Sequence, residues 1–415
     1  MPPAVRFGVN YTPSEGWFHH WLDFDLDSVR ADLDSIAALG LDHVRVFPLW
    51  PYFQPNRTLI RPRAVEQLVA LADAAAERGL DVNVDGLQGH LSSFDFLPAW
   101  TRTWHRRNLF TDPDVLDGQE TLLRTLAAAL ADRPNFIGMT LGNEVNQFSA
   151  GPHPDPDRAT PDEIDAWLGR MLAACEEGAP GRLHLHAEYD ATWYQDDQPF
   201  TPGQAARHGT VTAVHSWVFN GTAQRYGRTS VPSEHHAAWL VELSKAWAGD
   251  PHRPVWLQEV GAPAPLVPPE HAAAFTEATV TNALDCPDLW GITWWCSHDV
   301  ARSLADFPEL EYGLGLLTND RKPKDTALVL ERAARDPSPT PAGRGTALVV
   351  PADPAARSRC APGGPVFEAF FRLVADGARP TAVLDTRAGD PEHLAARGIT
   401  ETVIPDQVLG GGTRS

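Results

Sequence analysis

The sequence predicts a (β/α)8 barrel followed by a small α/β unit, and three observations carry that prediction. Eight short apolar runs, each the length of a strand, are spread over residues 6–296. Between them lie longer stretches in which apolar residues recur every three or four positions, the period of a helix with one buried face. Glycines end the first two of these stretches shortly before the next apolar run, as in a repeated βα unit.

The first run covers 6–11. Leu26, Val29, Leu33 and Ile36 then share a helical face, and Gly40 releases the chain into the second run at 42–47. Val65, Leu68, Val69 and Ala72 repeat the pattern, which stops at Gly79 before the third run at 81–87. The remaining runs lie at 136–141, 183–188, 211–217, 255–260 and 291–296. Near-continuous apolar character, rather than alternation, is what a strand buried on both faces requires. Ser338-Pro339-Thr340-Pro341-Ala342-Gly343 then breaks the periodicity with turn formers. The expected division is a catalytic barrel over 1–337 and a small α/β domain over 346–408. The latter reads as a strand at 347–350, a helix at 366–374, a strand at 381–384 and a last apolar pair, Val403-Ile404. A unit of roughly 60 residues has a marginal core, so it should dock on the barrel or on another subunit. The Gly410-Gly411-Gly412 tail is expected to be disordered.

Composition narrows the function. Apolar residues form 43% and charged residues 21% of the chain, ordinary values for a globular protein. The net charge of −20 repels phosphate backbones and anionic headgroups, so neither nucleic acid nor a membrane is an expected partner. Met1-Pro2-Pro3-Ala4-Val5-Arg6 carries no leader pattern, and no apolar run reaches eighteen residues. Cys175, Cys286, Cys296 and Cys360 lie far apart, without a CxxC pair, which argues against a disulfide framework and a zinc cluster. A cytoplasmic protein is the expectation, with no cofactor and no metal. The 14 tryptophans offer flat rings that either fill cores or face a flat ligand such as a sugar.

In a barrel of this kind the site lies at the C-terminal ends of the strands, so polar residues that end apolar runs are the candidates. Two glutamates qualify: Glu144, after the fourth run, and Glu259, in the seventh. Strands three apart in an eight-strand ring face each other across its mouth, which lets both carboxylates flank one bond. Glycoside hydrolysis needs such a pair, one holding a proton and the other ionised. The competing reading is that each glutamate caps a helix or meets solvent. His184, His186 and Glu188 alternate along the fifth run, and two imidazoles on one face suggest a metal; His186 or Glu188 lining a sugar pocket is the alternative. Trp17, His19, His20, Trp21, Trp50 and Tyr52 follow the first two runs and either wall the cleft or simply pack.

Gly142-Asn143-Glu144, Trp256-Leu257-Gln258-Glu259, Val44-Arg45-Val46, Val214-His215-Ser216-Trp217 and Gly291-Ile292-Thr293-Trp294-Trp295 resemble the strand motifs of glycoside hydrolase family 5, in clan A, over roughly residues 5–335. The resemblance implies retaining hydrolysis with Glu144 as acid/base and Glu259 as nucleophile. It further implies that Arg45 holds Glu259 ionised and that Asn143 bonds the sugar 2-hydroxyl. His90 and His215 would bind hydroxyls or orient the nucleophile, and Trp294 or Trp295 would form the platform under the ring. Trp217 stands where the family commonly has tyrosine, and an indole donates but does not accept. Within the family the chain is most similar to the subfamily 18 group, which implies an exo-acting β-mannosidase on short β-mannosides such as mannosyl-β-1,4-N-acetylglucosamine. The C-terminal unit resembles the truncated amidotransferase-like domains through which a clan A family of β-galactosidases trimerises, implying a homo-oligomer. The alternatives are an intracellular β-glucosidase, an endo-β-mannanase or glucanase, a non-catalytic sugar-binding barrel, and a metal-dependent barrel hydrolase.

Overall fold

The structure, a computed structural model, describes residues 5–104, 106–336 and 344–410. The predicted linker over 338–343 and the tail beyond Gly410 lie outside the described residues. The barrel strands are β1 (Arg6–Asn10), β2 (His43–Val46), β3 (Asp81–Asp85), β6 (Phe136–Thr140), β7 (Thr212–Ser216), β8 (Val255–Val260) and β9 (Leu289–Trp294). They pair in the order β6-β3-β2-β1-β9-β8-β7, and every pair is parallel. Two short strands, β4 (His90–Leu91) and β5 (Phe94–Asp95), form a hairpin in the loop after β3.

The predicted fifth run closes the ring without forming a regular strand. Leu183 and Leu185 donate to Ile137 and Met139 at 2.8 and 2.9 Å, while Thr210 donates to His184 at 2.9 Å from the other side. The His184 side chain explains the irregularity, because its Nδ1 takes the Met139 N–H at 3.1 Å in place of a main-chain carbonyl.

The helices form where the periodicity places them. Leu26–Ala38 starts at Asp25, whose carboxylate accepts from the Asp27 and Ser28 N–H groups. Gly40 and Gly79, at φ 72° and 70°, turn the chain after the first two barrel helices through a left-handed conformation that a side chain would disfavour. No helix among the described residues is long and apolar enough to cross a membrane.

The C-terminal strands β10 (Thr346–Val350), β11 (Thr381–Leu384) and β12 (Glu401–Val403) form a separate parallel sheet of order β11-β10-β12. Its helix Pro365–Ala375 lays Phe367, Phe370 and Phe371 on Trp239 of the barrel helix His236–Trp247, with Trp239 and Phe370 centroids 4.6 Å apart. Buried Arg344 adds ion pairs to Glu242 and Asp285, both at 3.1 Å. The unit therefore docks on the barrel and shares its core.

Candidate active site

The site is built on the C-terminal rim of the barrel, around one cation. Arg45, the penultimate residue of β2, is fully buried and uses all five guanidinium N–H donors. It grips Asp85 side-on at 2.8 and 2.6 Å. It also donates to Asn143 Oδ1 at 2.8 Å, Asn10 Oδ1 at 3.1 Å and Glu259 Oε1 at 2.6 Å. A buried guanidinium is tolerable only when so fully paired, and the pairing locks the orientation of Glu259.

Glu144 enters from the turn after β6. Gly142 allows this turn, since a Cβ there would stand 2.3 Å from the Leu87 carbonyl oxygen. Glu144 itself holds φ 46° and ψ 42°, a left-handed conformation that is costly for a residue with a side chain and is common at functional sites. Gln147 donates to its Oε2 at 2.7 Å.

His215, on β7, stands between the glutamates. Its Nδ1 lies 2.9 Å from Glu144 Oε1 and 3.4 Å from Glu259 Oε2. One side-chain atom from each of Glu144, His215 and Glu259 falls within 4.8 Å of the others, the one such group of potential ligands among the described residues. The predicted convergence of residues 115 apart in the chain is therefore present. On the other side of the ring, His215 Nε2 faces Gln258 Oε1 at 3.3 Å, and Gln258 Nε2 donates to Thr140 at 3.0 Å. Both ring nitrogens thus face acceptors, the surroundings of an imidazolium.

Burial opposes charge on all three groups. For His215 the Glu259 and Glu144 carboxylates outweigh burial and raise its pKa. For Glu144, burial is overcome by the His215 contact, which takes it below its ordinary value. For Glu259, burial and repulsion by Glu144 leave it raised, against the pull of His215 and Arg45. The directions for His215 and Glu144 together favour an imidazolium beside an ionised carboxylate, joined by the hydrogen bond between them.

The other predicted residues take definite places. Trp217 donates from Nε1 to Glu259 Oε2 at 3.2 Å, so an indole serves here because a carboxylate needs only a donor. Asn143 accepts from Arg45 and donates to the His90 carbonyl at 3.2 Å, leaving one amide hydrogen for a ligand. His90, on the hairpin, directs Nδ1 to Asp95 at 3.1 Å and lies near enough to Glu144 to lower it. Trp295 turns toward the rim, edge-on to Phe47 at 5.6 Å, and Phe47 lies under the Arg45 guanidinium at 4.8 Å. Trp294 instead borders a cavity with Pro269, Ala272 and Lys324, away from the glutamates.

His184, His186 and Glu188 do not bring three ligand atoms together. His184 spends both nitrogens on main-chain groups of Met139 and Ala179, and His186 bonds Glu188. Trp21 and Trp50 pack, donating to Phe47 and Gln54. Trp17 joins Phe94, Phe96 and Phe307 in a cluster with centroids 4.8–5.9 Å from its own, which ties together the segments that follow β1, β3 and β9.

Four further residues belong to the site. Asn10 and Asp85 complete the shell of Arg45. Gln258 reaches inward beside Glu259 because the β7–β8 register shifts between Val214 and His215, letting two consecutive side chains face the barrel. Glu311, in the loop after β9, is buried and pushed up to about 7, chiefly by burial, with the Ser92 and Trp295 donors opposing and the two glutamates adding to the rise.

A (β/α)8 barrel with two buried carboxylates a few ångströms apart on its C-terminal rim defines a glycoside hydrolase of the retaining kind. The chain belongs to glycoside hydrolase family 5, subfamily 18 (GH5_18). It is 73% identical to the GH5_18 protein of Streptomyces cattleya, solved as a glutamate-to-alanine variant with Manβ1-4GlcNAc, over 98% of this chain and 100% of that one, with a TM-score of 0.96. The same Streptomyces protein solved with GlcNAc gives 73% identity, 98% and 99% coverage and a TM-score of 0.96. A GH5_18 protein of Bifidobacterium longum subsp. infantis is 48% identical over 97% of both chains, with a TM-score of 0.94. No family model matches the chain, and neither does any curated protein.

Proposed function

We propose that the chain is a retaining, exo-acting β-mannosidase that hydrolyses short β-mannosides such as mannosyl-β-1,4-N-acetylglucosamine. One observation carries the reading: the reactive atoms of Glu144, His215 and Glu259 lie within 4.8 Å of one another. At about 5 Å a carboxylate reaches the anomeric carbon itself, whereas an inverting pair stands farther apart to admit water. The substrate class is supported by the Manβ1-4GlcNAc and GlcNAc complexes of the 73% identical protein. The exo mode is supported by the aromatic cluster of Trp17, Phe94, Phe96 and Phe307, which joins the segments after three of the barrel strands.

Glu259 is the nucleophile. Arg45 and the Trp217 indole hold its oxygens while it attacks the anomeric carbon and the glycosidic bond breaks. Glu144 is the acid/base. The proton it passes to the leaving oxygen resides on the Glu144–His215 pair, whose 2.9 Å hydrogen bond lets it shift from imidazolium to carboxylate without another donor. Water then gives a proton back to Glu144, attacks the anomeric carbon and frees Glu259. Asn143 and His90 hold hydroxyls of the mannosyl ring, and Trp295 lies beneath it. Trp294 has no part in this scheme.

The division at 1–337 and 346–408 is part of the reading, supported by the two separate sheets. A cytoplasmic location is supported by four free, buried cysteines. Assembly through the C-terminal domain is supported by the exposed apolar side chains of Ile404 and Leu409, and a monomer mass from light scattering would refute it. The activity is tested with aryl β-mannosides and β-glucosides against polymeric mannan and cellulose. Cleavage of the mannoside alone is expected, and turnover confined to glucosides or polymers would overturn the assignment.

A further inference from the structure

A chain of side-chain hydrogen bonds crosses the barrel interior behind His215, and the mechanism above assigns it no part. It begins at a main-chain carbonyl. The β3–β6 register shifts between Val82 and Asn83, and there the Asn83 amide donates to the Gly138 carbonyl oxygen at 2.9 Å. Asn83 Oδ1 accepts from the Thr140 hydroxyl at 2.8 Å, and Thr140 Oγ1 in turn accepts from Gln258 Nε2 at 3.0 Å. Gln258 Oε1 then faces His215 Nε2 at 3.3 Å. Asn83, Thr140, Gln258 and His215 are all fully buried, so bulk water offers them no alternative partners.

The direction of this chain is fixed from its far end. A carbonyl oxygen only accepts, so the Asn83 NH2 must face Gly138 and its oxygen must face Thr140. A hydroxyl has one hydrogen, which Thr140 spends on Asn83, and its oxygen is left to accept from the Gln258 NH2. Gln258 therefore turns its own oxygen to the imidazole, and an acceptor facing Nε2 demands an N–H there. Reversing either amide would set two oxygen atoms against each other, and burial makes such a mismatch costly.

The consequence falls on the other nitrogen. With Nε2 held protonated, the imidazolium can release only the proton on Nδ1, which lies 2.9 Å from Glu144 Oε1. When that N–H bond breaks and an O–H bond forms on Glu144, the ring is left as the Nε2–H tautomer, still bonded to Gln258, and Nδ1 accepts from the new carboxylic acid. The opposite tautomer would present an N–H to Glu144 and hold it ionised, which disarms an acid. Glu259, 3.4 Å from Nδ1, and Arg45, Asp85 and Asp190 farther away act on the charge of the ring as a whole, but Gln258 is what meets Nε2.

We propose that Asn83, Thr140 and Gln258 are positioning residues: anchored on the Gly138 carbonyl, they pin a proton on His215 Nε2 and so make Nδ1 the one site from which His215 supplies Glu144. The proposal rests on the glycosidase reading and deepens it, by naming what keeps the acid/base supplied with its proton.

Nitrogen NMR of protein with isotope-labelled histidines tests the chain without any substrate, and His215→Gln assigns the signals. Above the pH at which the ring loses its charge, Nε2 of the parent should keep the shift of a protonated nitrogen while Nδ1 takes that of an acceptor. Thr140→Val removes the hydroxyl at nearly constant volume and frees the Gln258 amide to turn. It should raise the share of the Nδ1–H tautomer, lower kcat about 10-fold or more with KM little changed, and move the basic limb of the pH profile to lower pH. Thr140→Ser, which keeps the hydroxyl, should stay within about threefold of the parent in kcat and keep its limb. A parent in which Nε2 gives up its proton first, or a Thr140→Val variant whose tautomer and basic limb match the parent's, would overturn the proposal. If the parent turns over no glycoside, the glycosidase reading fails, and the nitrogen shifts still decide the chain.

Discussion

Arg45 Nη1 stands 2.6 Å from Glu259 Oε1, and neither side chain is more than 3% exposed. Direct contact with a buried, always-charged guanidinium favours an ionised nucleophile, and removing the cation leaves Glu259 with repulsion from Glu144. Arg45→Met should lower kcat at least about 100-fold and move the acid limb of the pH profile upward. Arg45→Lys, which keeps the charge but loses the five-donor geometry, should recover only part of it. Steady-state kinetics across pH check both.

The pH profile of the parent follows from the same set of groups. Glu259 must be ionised, and its pKa lies above its ordinary 4.5, so activity is lost as pH falls through a value higher than 4.5. The Glu144–His215 pair must hold a proton, and the His215 pKa lies above its ordinary 6.5, so the basic limb falls above 6.5. A bell with those limbs is expected for kcat/KM. In His215→Gln the basic limb should shift and kcat should drop, because the shared proton has lost its holder.

Trp217→Phe removes the indole N–H that lies 3.2 Å from Glu259 while keeping an aromatic ring. A decrease in kcat of roughly 10-fold is expected, with KM little changed, since the lost bond stabilises charge rather than the bound ring. Fluorescence-monitored melting of the variant separates this from a folding defect.

The residues legible in the sequence are those within or just beyond apolar runs. Arg45 and Glu259 lie near the ends of β2 and β8 and Glu144 in the turn after β6, and the ring geometry brings the two glutamates together. Gln258 was hidden because strict alternation puts the neighbour of Glu259 outside the barrel, and only the register shift on β8 turns both inward. Glu311 lies in a loop, where no periodicity says which way a side chain faces. The fifth run was read as a strand from its apolar pattern, but a side-chain nitrogen of His184 displaces the ladder there. Which of Trp294 and Trp295 turns toward the site depends on the end of β9, and the sequence held no signal for it.

Stability should fall on acidification through His236, which is buried, bonded to Tyr194 and Ser216, and lowered to about 3 by burial. The folded state binds the proton less readily than the unfolded chain, so stability is full above about 6.5 and is lost as pH falls toward 3. This one residue contributes a slope of about 1.4 kcal/mol per pH unit in that window. Denaturant titrations between pH 7 and 4 should show a shallower dependence in His236→Phe.

Arg357→Met leaves the carbonyls of Thr192, Gln198 and Phe200 without their donor. A loss of about 3 kcal/mol is expected, with the 190–200 segment gaining hydrogen exchange before the barrel strands do.

Covalent trapping identifies the nucleophile in one experiment. The protein is incubated with 2-deoxy-2-fluoro-β-mannosyl fluoride, digested, and mapped by mass spectrometry. One added fluoromannosyl group, attached to Glu259, is expected. A label on Glu144 or elsewhere, or no adduct while the same reagent is turned over with inversion, would contradict it.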